Sequence, residues 1–281
     1  KPGIFRYYVE GAWARSSDDV SDAFGAAYPY RNRFQIIEAY GEQMFRPGNA
    51  IVGVRAGRYR PPFGIYNASD HAYTGFTRAP LIRYGGYFAL SNNYLEHGAD
   101  LVIGVPQLTV ETSLGVPADV GIAIRRSGLD TVVRVQGLVG PAILGASRIR
   151  TSPYQPETFA RGLAVFTGLD VRWMRGGVLL RGEWITGEPY DGRTTTGWYA
   201  DAIVHRVFMG PVTAVARVEK LDYANPVSTR AVHATRQTIG ARIRILEGLS
   251  AQVNVLHHTG VIGAFRTTPV DVALTYSIRP R

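Results

Sequence analysis

Apolar and polar residues alternate along most of this chain. In the segment FRYYVEGAW, residues 5–13, the odd positions are mainly apolar, while Arg6, Tyr8 and Glu10 fall on even positions. Successive side chains of a β-strand point to opposite faces, so this pattern predicts a strand with one apolar and one polar side. The same pattern recurs in segments 107–114, 119–125, 131–138, 168–174, 178–187, 197–206, 212–220, 236–245 and 270–278.

The spacing of turn residues indicates how these strands connect. Short turns are predicted at 175–177, 209–211 and 247–248, and longer loops near 67 to 96, 141 to 157, 187 to 195 and 221 to 233. Short turns at one end and long polar loops at the other are typical of an all-β, antiparallel up-and-down transmembrane β-barrel. A membrane-crossing strand needs roughly 9 to 11 residues, which predicts about 12 to 16 strands, with 14 as the middle value. No repeat or linker divides the chain, so residues 1–281 are expected to form a single barrel domain.

The main alternative is a soluble β-sandwich with an anion-binding loop. The solvent-exposed face of a sandwich would be rich in Lys, Thr, Ser and Glu, but lysine is almost absent here. The charged positions are mostly arginines and acids on the same face, as expected of the inner wall of a barrel. The apolar face is rich in Ala, Gly and Val with Trp and Tyr near strand ends, which resembles a lipid-facing band with aromatic girdles. These features favour the barrel.

Composition narrows the chemistry. The chain has no cysteine, which excludes disulfides, zinc–thiolate sites and thiolate nucleophiles. A nucleophile elbow, a P-loop and a dinucleotide-binding glycine motif are all missing, and His257 and His258 on one strand would point to opposite faces. We therefore expect no enzyme, no cofactor and no metal. The net charge of +9 suggests an anionic partner, but the arginines are spread over nearly every strand, which argues against a nucleic-acid patch.

The arginines of the polar faces are the first candidate site. A guanidinium group keeps its charge and offers a planar fork of donors to phosphate, carboxylate or sulfate oxygens. A column of them in a narrow lumen would attract anions, although pairing with nearby acids would satisfy the same side chains. The predicted pore-lining set is Arg58, Arg60, Arg125, Arg134, Arg172, Arg181, Glu183, Asp201, Arg217, Arg236, Arg242 and Arg244.

The segment AGRYRPPFGIY, residues 56–66, is the second candidate. Arg58 and Arg60 lead into a proline pair, which removes backbone donors and ends strand pairing. The following stretch of more than thirty residues is long for a loop, and long loops in compact domains are usually functional. We expect it to fold inward and constrict the pore. The local alternation allows either arginine to face the lumen.

The segment VGVRAGRYRPPFGIYN resembles a strand end of the phosphate-selective porin O and P family. LLRGEWITGE, GWYADAIVHR and VTAVARVEKLD are similar to that family's Glu-containing, Gly-aromatic-Tyr and Arg-to-Leu-Asp strands. The match covers about residues 50–66 and 178–222. The resemblance implies an outer-membrane porin, trimeric and either general or anion-preferring. The lysine clusters of a phosphate-selective pore are missing and the chain is shorter than full-length members, so a generic small-solute pore is the expectation.

Two functions follow from these patterns. The first is an outer-membrane porin for passive diffusion of small hydrophilic solutes, anionic or neutral, with mild anion preference. It would sit in a lipid bilayer as a homotrimer and bind no nucleic acid. The alternative is a non-conducting structural barrel subunit of a cell-envelope complex, its lumen filled by salt bridges or by a partner's segment. An empty interior would favour the porin, and a plugged or fully paired interior the scaffold.

Overall fold

The computed structural model describes residues 3–13, 34–65, 74–83, 95–117, 129–151, 164–188, 194–207, 210–224, 231–260 and 268–276. In chain order the strands are β1 (Ile4–Trp13), β2 (Phe34–Phe45), β3 (Ile51–Tyr59), β4 (Glu96–Val105), β5 (Leu108–Pro117), β6 (Asp130–Val139), β7 (Ala142–Thr151), β8 (Ala164–Arg175), β9 (Val178–Glu188), β10 (Thr195–Val204), β11 (Val212–Ala224), β12 (Ala231–Leu246), β13 (Leu249–Gly260) and β14 (Val270–Tyr276). A 3-10 turn covers Leu81–Arg83. None of the helical stretches in these ranges has the length and apolar character needed to cross a membrane.

The 14 strands form one sheet in which each strand pairs with the next along the chain. Neighbouring strands run antiparallel from β1 to β14. Within the described residues, β1 and β14 are the two edges and do not pair with each other. This order is that of an up-and-down barrel, and it confirms the fold class and the middle value of the strand count.

The two faces of the sheet are reversed relative to a soluble protein. On β10, Tyr199 and Asp201 are buried on one face, while Trp198 is 37% exposed on the other. Across the sheet the buried face carries many charged and polar residues, and the other face exposes Leu, Ile, Val and Trp side chains. A sandwich buries its apolar face, so this arrangement excludes the sandwich and indicates a barrel whose apolar surface faces lipid.

One predicted loop is wrong in part. The stretch from 141 to 157 was expected to be irregular, but β7 (Ala142–Thr151) occupies most of it. Pro141 ends a tight connection in which Gly140 has a φ of 58°, a conformation that glycine adopts without steric cost. The proline therefore closes a short turn between β6 and β7 and does not open a long loop. The predicted strand at 119–125 lies outside the described residues.

The chain after β3 turns into the interior. Residues 60–65 and 74–83, here called the inward segment, lie against the buried face of the sheet. Phe63, Leu81 and Ile82 are almost completely buried there. They cluster with side chains of the wall: Val132, Ile149, Ala164, Phe166, Ile185, Tyr199, Leu221 and Ala234. Burial of each such apolar side chain contributes about 1.5–3 kcal/mol. The prediction of a long inward-folding loop is confirmed.

A glycine on β10 allows this close packing. A Cβ added to Gly197 would lie 2.6 Å from Cγ2 of Ile82, closer than two carbon atoms approach without repulsion. The wall position is therefore filled by the side chain of the inward segment. A larger residue at 197 would push the segment toward the lumen.

Candidate functional site

The arginine-rich half of the inner face is centred on Asp201 of β10. Its carboxylate accepts hydrogen bonds from Arg217 Nε at 2.6 Å, from Arg217 Nη2 at 2.9 Å and from Arg181 Nε at 2.8 Å. These three residues lie on adjacent strands, because Asp201 stands opposite Arg181 on β9 and Arg217 on β11. All three are nearly fully buried. Bidentate arginine–carboxylate pairs are among the strongest polar contacts, so this group is a rigid part of the wall.

Arg217 also holds the inward segment. Its Nη1 donates a hydrogen bond to the carbonyl oxygen of Arg78 at 3.0 Å. Its guanidinium group lies 4.0 Å from the ring centre of Phe76, a favourable contact between a cation and an aromatic face. One wall arginine thus contacts both the backbone and a side chain of the segment.

Glu219 of β11 is the second anchor. Its carboxylate accepts a hydrogen bond from the backbone nitrogen of Leu81 at 2.7 Å and another from Arg236 Nε at 2.5 Å. Arg236 in turn donates from Nη2 to the carbonyl oxygen of Ala79. Glu219 and Arg236 are both buried. The pair satisfies one donor and one acceptor of the segment's backbone, which would otherwise be costly to bury.

A third set of polar contacts joins the inward segment to β13 and β14. Thr77 donates from its backbone nitrogen to Asn254 Oδ1 at 2.9 Å, and Asn254 Nδ2 donates to the carbonyl oxygen of Gly75 at 2.9 Å. Arg78 forms a bidentate pair with Asp271, with distances of 2.6 Å and 2.9 Å. Residues 74–83 are therefore held along the wall made by β10 to β14.

The opposite part of the wall, from β1 to β5, is rich in acids. Arg55 of β3 lies among three carboxylates, at 3.3 Å from Glu42, 3.5 Å from Asp100 and 3.9 Å from Glu111. Its guanidinium carbon is 4.9 Å from the ring centre of Tyr40. The side chain of Arg55 is 22% exposed. One cation thus serves several acids, and this side of the interior is reached by solvent.

The structure distinguishes the two arginines of the segment AGRYRPPFGIY. Arg60 pairs with Glu38 at 3.1 Å and with Glu10 at 3.5 Å, both on the inner face. Its backbone nitrogen also donates to Glu38 at 3.0 Å. Arg58 stands opposite His97, whose side chain is exposed in the outward register of the sheet. Of the two, Arg60 is the one that joins the inner carboxylates.

The other predicted residues differ in how deeply they are buried and in their partners. Arg134 is buried and bonds to Asp170 at 2.8 Å, and Glu183 is also buried on the inner face. Arg172 bonds to Gln136 at 2.7 Å. Arg242 and Arg244 lie toward the short-turn end of β12, the former half-buried and the latter exposed. Arg125 lies outside the described residues.

Two arginines of this interior were missed. Arg55 is on the same face of β3 as Tyr59, and the strand alternation of GVRAGRY carried that signal. Arg78 lies in an irregular segment, and 193 residues separate it from its partner Asp271, so no local pattern marks it. In the ranges that the structure covers, no group of three or more His, Cys, Asp or Glu is placed to hold a metal ion.

Among the residues that the structure describes, positive and negative charges on the inner face nearly balance. The acids are Glu10, Glu38, Glu42, Glu96, Asp100, Glu111, Asp130, Asp170, Glu183, Asp201, Glu219 and Asp271. The arginines, with two from the inward segment (Arg60 and Arg78), are Arg6, Arg55, Arg60, Arg78, Arg134, Arg172, Arg181, Arg217, Arg236, Arg242 and Arg244. Most of the acids lie on β1 to β6, and most of the arginines on β8 to β12. The interior is therefore polarised from one side to the other.

Comparison with known proteins identifies the fold. No protein-family model matches the chain, and no curated protein sequence matches it. Among solved structures, the loop L8 deletion mutant of OmpT, an outer membrane protein of Vibrio cholerae, is similar with a TM-score of 0.61 at 12% identity, over 87% of this chain and 80% of that one. The anion-selective porin from Comamonas acidovorans is similar with a TM-score of 0.57 at 10% identity, over 98% and 93%. The trimer form of in-vitro folded OmpT gives a TM-score of 0.57 at 10% identity, over 92% and 90%.

These likenesses define the class of the fold, which is that of outer-membrane porins. Together with the outward apolar face, this fold places the chain in the outer membrane.

Proposed function

We propose that this chain is a pore through which small hydrophilic solutes diffuse passively across the outer membrane. The observation that carries the proposal is the reversed sheet, with lipid-compatible side chains outside and charged side chains inside. The inward segment is bonded to β10–β14. On the other side of the interior, Arg55 and Glu42 have side chains 22% and 17% exposed. Charged residues that solvent can reach therefore lie beside the inward segment. The inward segment itself narrows the passage.

The proposed selectivity is a mild preference for anions. Acids and arginines of the inner face nearly balance, so strong selection between anions and cations is not expected from the whole lumen. The preference would come from the arginine-rich side, where Arg172, Arg242 and Arg244 are less buried than Arg217 and Arg236. The shared fold with a porin described as anion-selective supports this direction.

The predicted pore-lining residues are proposed to have two roles. Arg60, Arg172, Arg242 and Arg244 would meet passing solutes. The remaining charged residues are buried and would shape the wall. Arg134, Arg181, Asp201, Arg217 and Arg236 are held there in ion pairs, and Glu183 is buried beside them. Arg58 stands opposite His97 in the outward register, so no pore-lining role is proposed for it. Pore lining by Arg125 stays a prediction from the sequence.

A trimeric assembly and a channel function without catalysis are part of the same proposal. One structure with this fold is a trimer form of an outer membrane protein, which supports the trimer. Membership of the phosphate-selective porin O and P family stays a prediction, since no family model matches the chain.

Planar-bilayer recording tests the proposal. The purified chain is expected to give discrete conductance steps in KCl, with a reversal potential under a salt gradient that is shifted modestly toward the chloride potential. Vesicles containing the protein should swell in solutions of small neutral sugars. Correctly folded protein that gives neither steps nor swelling would overturn the pore, and a reversal potential toward potassium would overturn only the anion preference.

The non-conducting structural barrel has two observations in its favour. Arg134, Arg181, Arg217 and Arg236 are all buried in polar contacts, and part of the lumen is filled by the inward segment. The same recording decides between the two functions, because a plugged barrel conducts no ions.

A further inference from the structure

Two tyrosines are stacked on the acid-rich part of the inner wall. Tyr8 of β1 stands opposite Tyr40 of β2, and their ring centres are 5.3 Å apart with the ring planes inclined by 27°. Tyr8 is 41% exposed, whereas interior aromatic side chains that pack near the inward segment, such as Phe166 and Tyr199, are almost completely buried. A solute in the lumen can therefore reach the ring of Tyr8.

The stack is closed at one end by side chains of β3. The guanidinium carbon of Arg55 lies 4.9 Å from the ring centre of Tyr40, and Tyr59 meets Tyr40 edge to face with ring centres 6.4 Å apart. Gly57 stands opposite Tyr40 with a φ of 137°, and a Cβ added there would lie 2.7 Å from the Cα of Tyr40. Only glycine therefore fits at this point of the wall. The strands place Tyr8 at the other end of the stack, so the far face of its ring is open.

Closure of the barrel leaves this face open. Tyr8 lies on the edge strand β1, and a barrel closed between its two edges would place β14 beside it. The inner positions of β14 are Asp271, Ala273 and Thr275, because Val270, Val272, Leu274 and Tyr276 are exposed on the outward face. These inner side chains are short. The ring of Tyr8 would therefore still face the lumen.

Polar side chains border the ring of Tyr8 along the strand. Arg6 and Glu10 are each two residues away on the same face of β1, a separation of about 7 Å. The hydroxyl group of Tyr8 donates a hydrogen bond to Glu10 Oε2 at 3.3 Å. Glu10 also pairs with Arg60 at 3.5 Å, and Arg60 pairs with Glu38 at 3.1 Å. The open ring is therefore bordered by hydrogen-bond donors and acceptors side by side.

We propose that the open face of Tyr8 stacks against the pyranose ring of a neutral sugar, an inference that deepens the proposed pore and rests on it. A pyranose presents a flat face of weakly positive C–H groups, and the face of an aromatic ring is negative, so the two attract each other. The hydroxyl groups at the rim of the sugar both donate and accept hydrogen bonds. They match the carboxylate of Glu10 and the guanidinium group of Arg60, which lie beside the ring.

The charges around the ring favour a neutral solute over an ion. The negative face of an aromatic ring repels anions and attracts cations. An organic cation would also need a carboxylate partner, and Glu10 and Glu38 both pair with Arg60. A sugar hydroxyl can join such a pair without separating it, because it accepts from the guanidinium group and donates to the carboxylate. This subsite therefore takes a different class of solute from the anions proposed for the arginine-rich side.

Saturation-transfer NMR on the detergent-solubilised protein tests the inference, with glucose, sorbitol and agmatine as probes and empty micelles as the blank. Sorbitol is the reduced, open-chain form of glucose and lacks the flat ring face. Glucose should bind about 2- to 10-fold more tightly than sorbitol, the factor expected for one stacking contact. Agmatine, an organic cation, should bind more weakly than glucose. Equal affinities for glucose and sorbitol would overturn the stacking, and tighter binding of agmatine would overturn the choice of a sugar.

Variants locate the binding on the ring of Tyr8. Tyr8→Leu keeps an apolar side chain but removes the aromatic face, so the affinity for glucose should fall about 2- to 10-fold. Tyr8→Phe keeps the face and loses only the hydrogen bond to Glu10, so it should retain most of the affinity. Tyr7→Leu is the matched control, because Tyr7 is the neighbouring residue and points outward, 82% exposed. Equal glucose affinity in the wild type and in folded Tyr8→Leu would overturn the assignment.

Conductance separates this inference from the proposed function. Glucose should add noise to the open-channel current of the wild type, and less noise to that of Tyr8→Leu. Wild-type steps in KCl together with no glucose binding in detergent would defeat the sugar subsite and leave the pore intact. Glucose binding by a folded protein that gives no conductance would defeat the pore while the binding site stands.

Discussion

Replacing Glu219 with glutamine removes the carboxylate that holds the inward segment to β11. That carboxylate accepts hydrogen bonds from the backbone nitrogen of Leu81 and from Nε of Arg236, and it is fully buried. The glutamine side chain is nearly isosteric and keeps one acceptor. The charge of Arg236 then stays in the interior without its partner.

The magnitude follows from that uncompensated charge. Breaking a buried ion pair by removing one partner costs about 3–5 kcal/mol. Arg236 can escape the penalty only by turning toward solvent, which also breaks its hydrogen bond to the carbonyl oxygen of Ala79. Since every ~1.4 kcal/mol is a factor of ten, docking of residues 79–83 should weaken roughly 10²- to 4 × 10³-fold. The substitution therefore weakens the docking of the segment, while the backbone hydrogen bonds between the strands of the sheet are kept.

Single-channel recording measures the result. Glu219→Gln should give a larger and noisier conductance step than the wild type, because the segment leaves the wall part of the time. Glu42→Gln is the control, since Glu42 contacts Arg55 and lies on the far side of the interior. The double variant Glu219→Gln with Arg236→Gln removes both charges and should recover a steadier step. A folded single variant with wild-type conductance and noise would refute the reasoning.

Four further substitutions test other parts of the structure. Gly197→Val places a side chain where Ile82 packs, and overpacking should destabilise the protein by about 1–3 kcal/mol in thermal unfolding in detergent. Arg60→Ala should shift the reversal potential toward potassium because its acidic partners lose their cation, whereas Arg58→Ala should leave it unchanged. Leu169→Arg puts a charge on the outward apolar face, where Leu169 is 51% exposed, and should cost about 2–4 kcal/mol in unfolding from lipid vesicles.

Each of these has a matched comparison. Gly137→Ala should leave the stability unchanged, because a Cβ there would approach no atom closer than 3.9 Å. Equal reversal potentials for the two arginine variants would contradict the inner placement of Arg60. Leu169→Ala stays apolar, so its effect should be much smaller than that of the arginine, and equal costs would contradict a lipid-facing surface.

Alternation along the strands was enough to predict which face a residue joins. Asp201, Arg181 and Arg217 were placed on the polar face from the sequence, and the structure finds them bonded together. Their contact depends on register between strands, which is set by turn geometry and was not readable from single strands. Pro141 shows the same limit, since a proline is compatible with a tight hairpin as well as with a loop.

Charge was harder to place. The net charge of +9 suggested an anionic partner, but among the described residues the inner face carries slightly more acids than arginines. Part of the excess lies elsewhere, for example on Arg148 and Arg150, which are exposed in the outward register of β7. Net charge counts every residue alike, so it cannot report on one face. The contact between Arg78 and Asp271 could not be predicted from the sequence, because only the fold brings such distant residues together.

The positions of the anchors fix an order of events during assembly. The inward segment precedes β10–β14 in the chain, yet 138 residues separate Leu81 from Glu219, and 193 separate Arg78 from Asp271. Contacts between such distant residues form late, because the intervening chain must first be ordered. The contact with Asp271 therefore needs β14, whereas the contacts with Glu219 and Asn254 need only β11 and β13. The segment is thus fastened to the wall in steps that follow the order of the strands, and its bond to Asp271 is the last that the chain can complete.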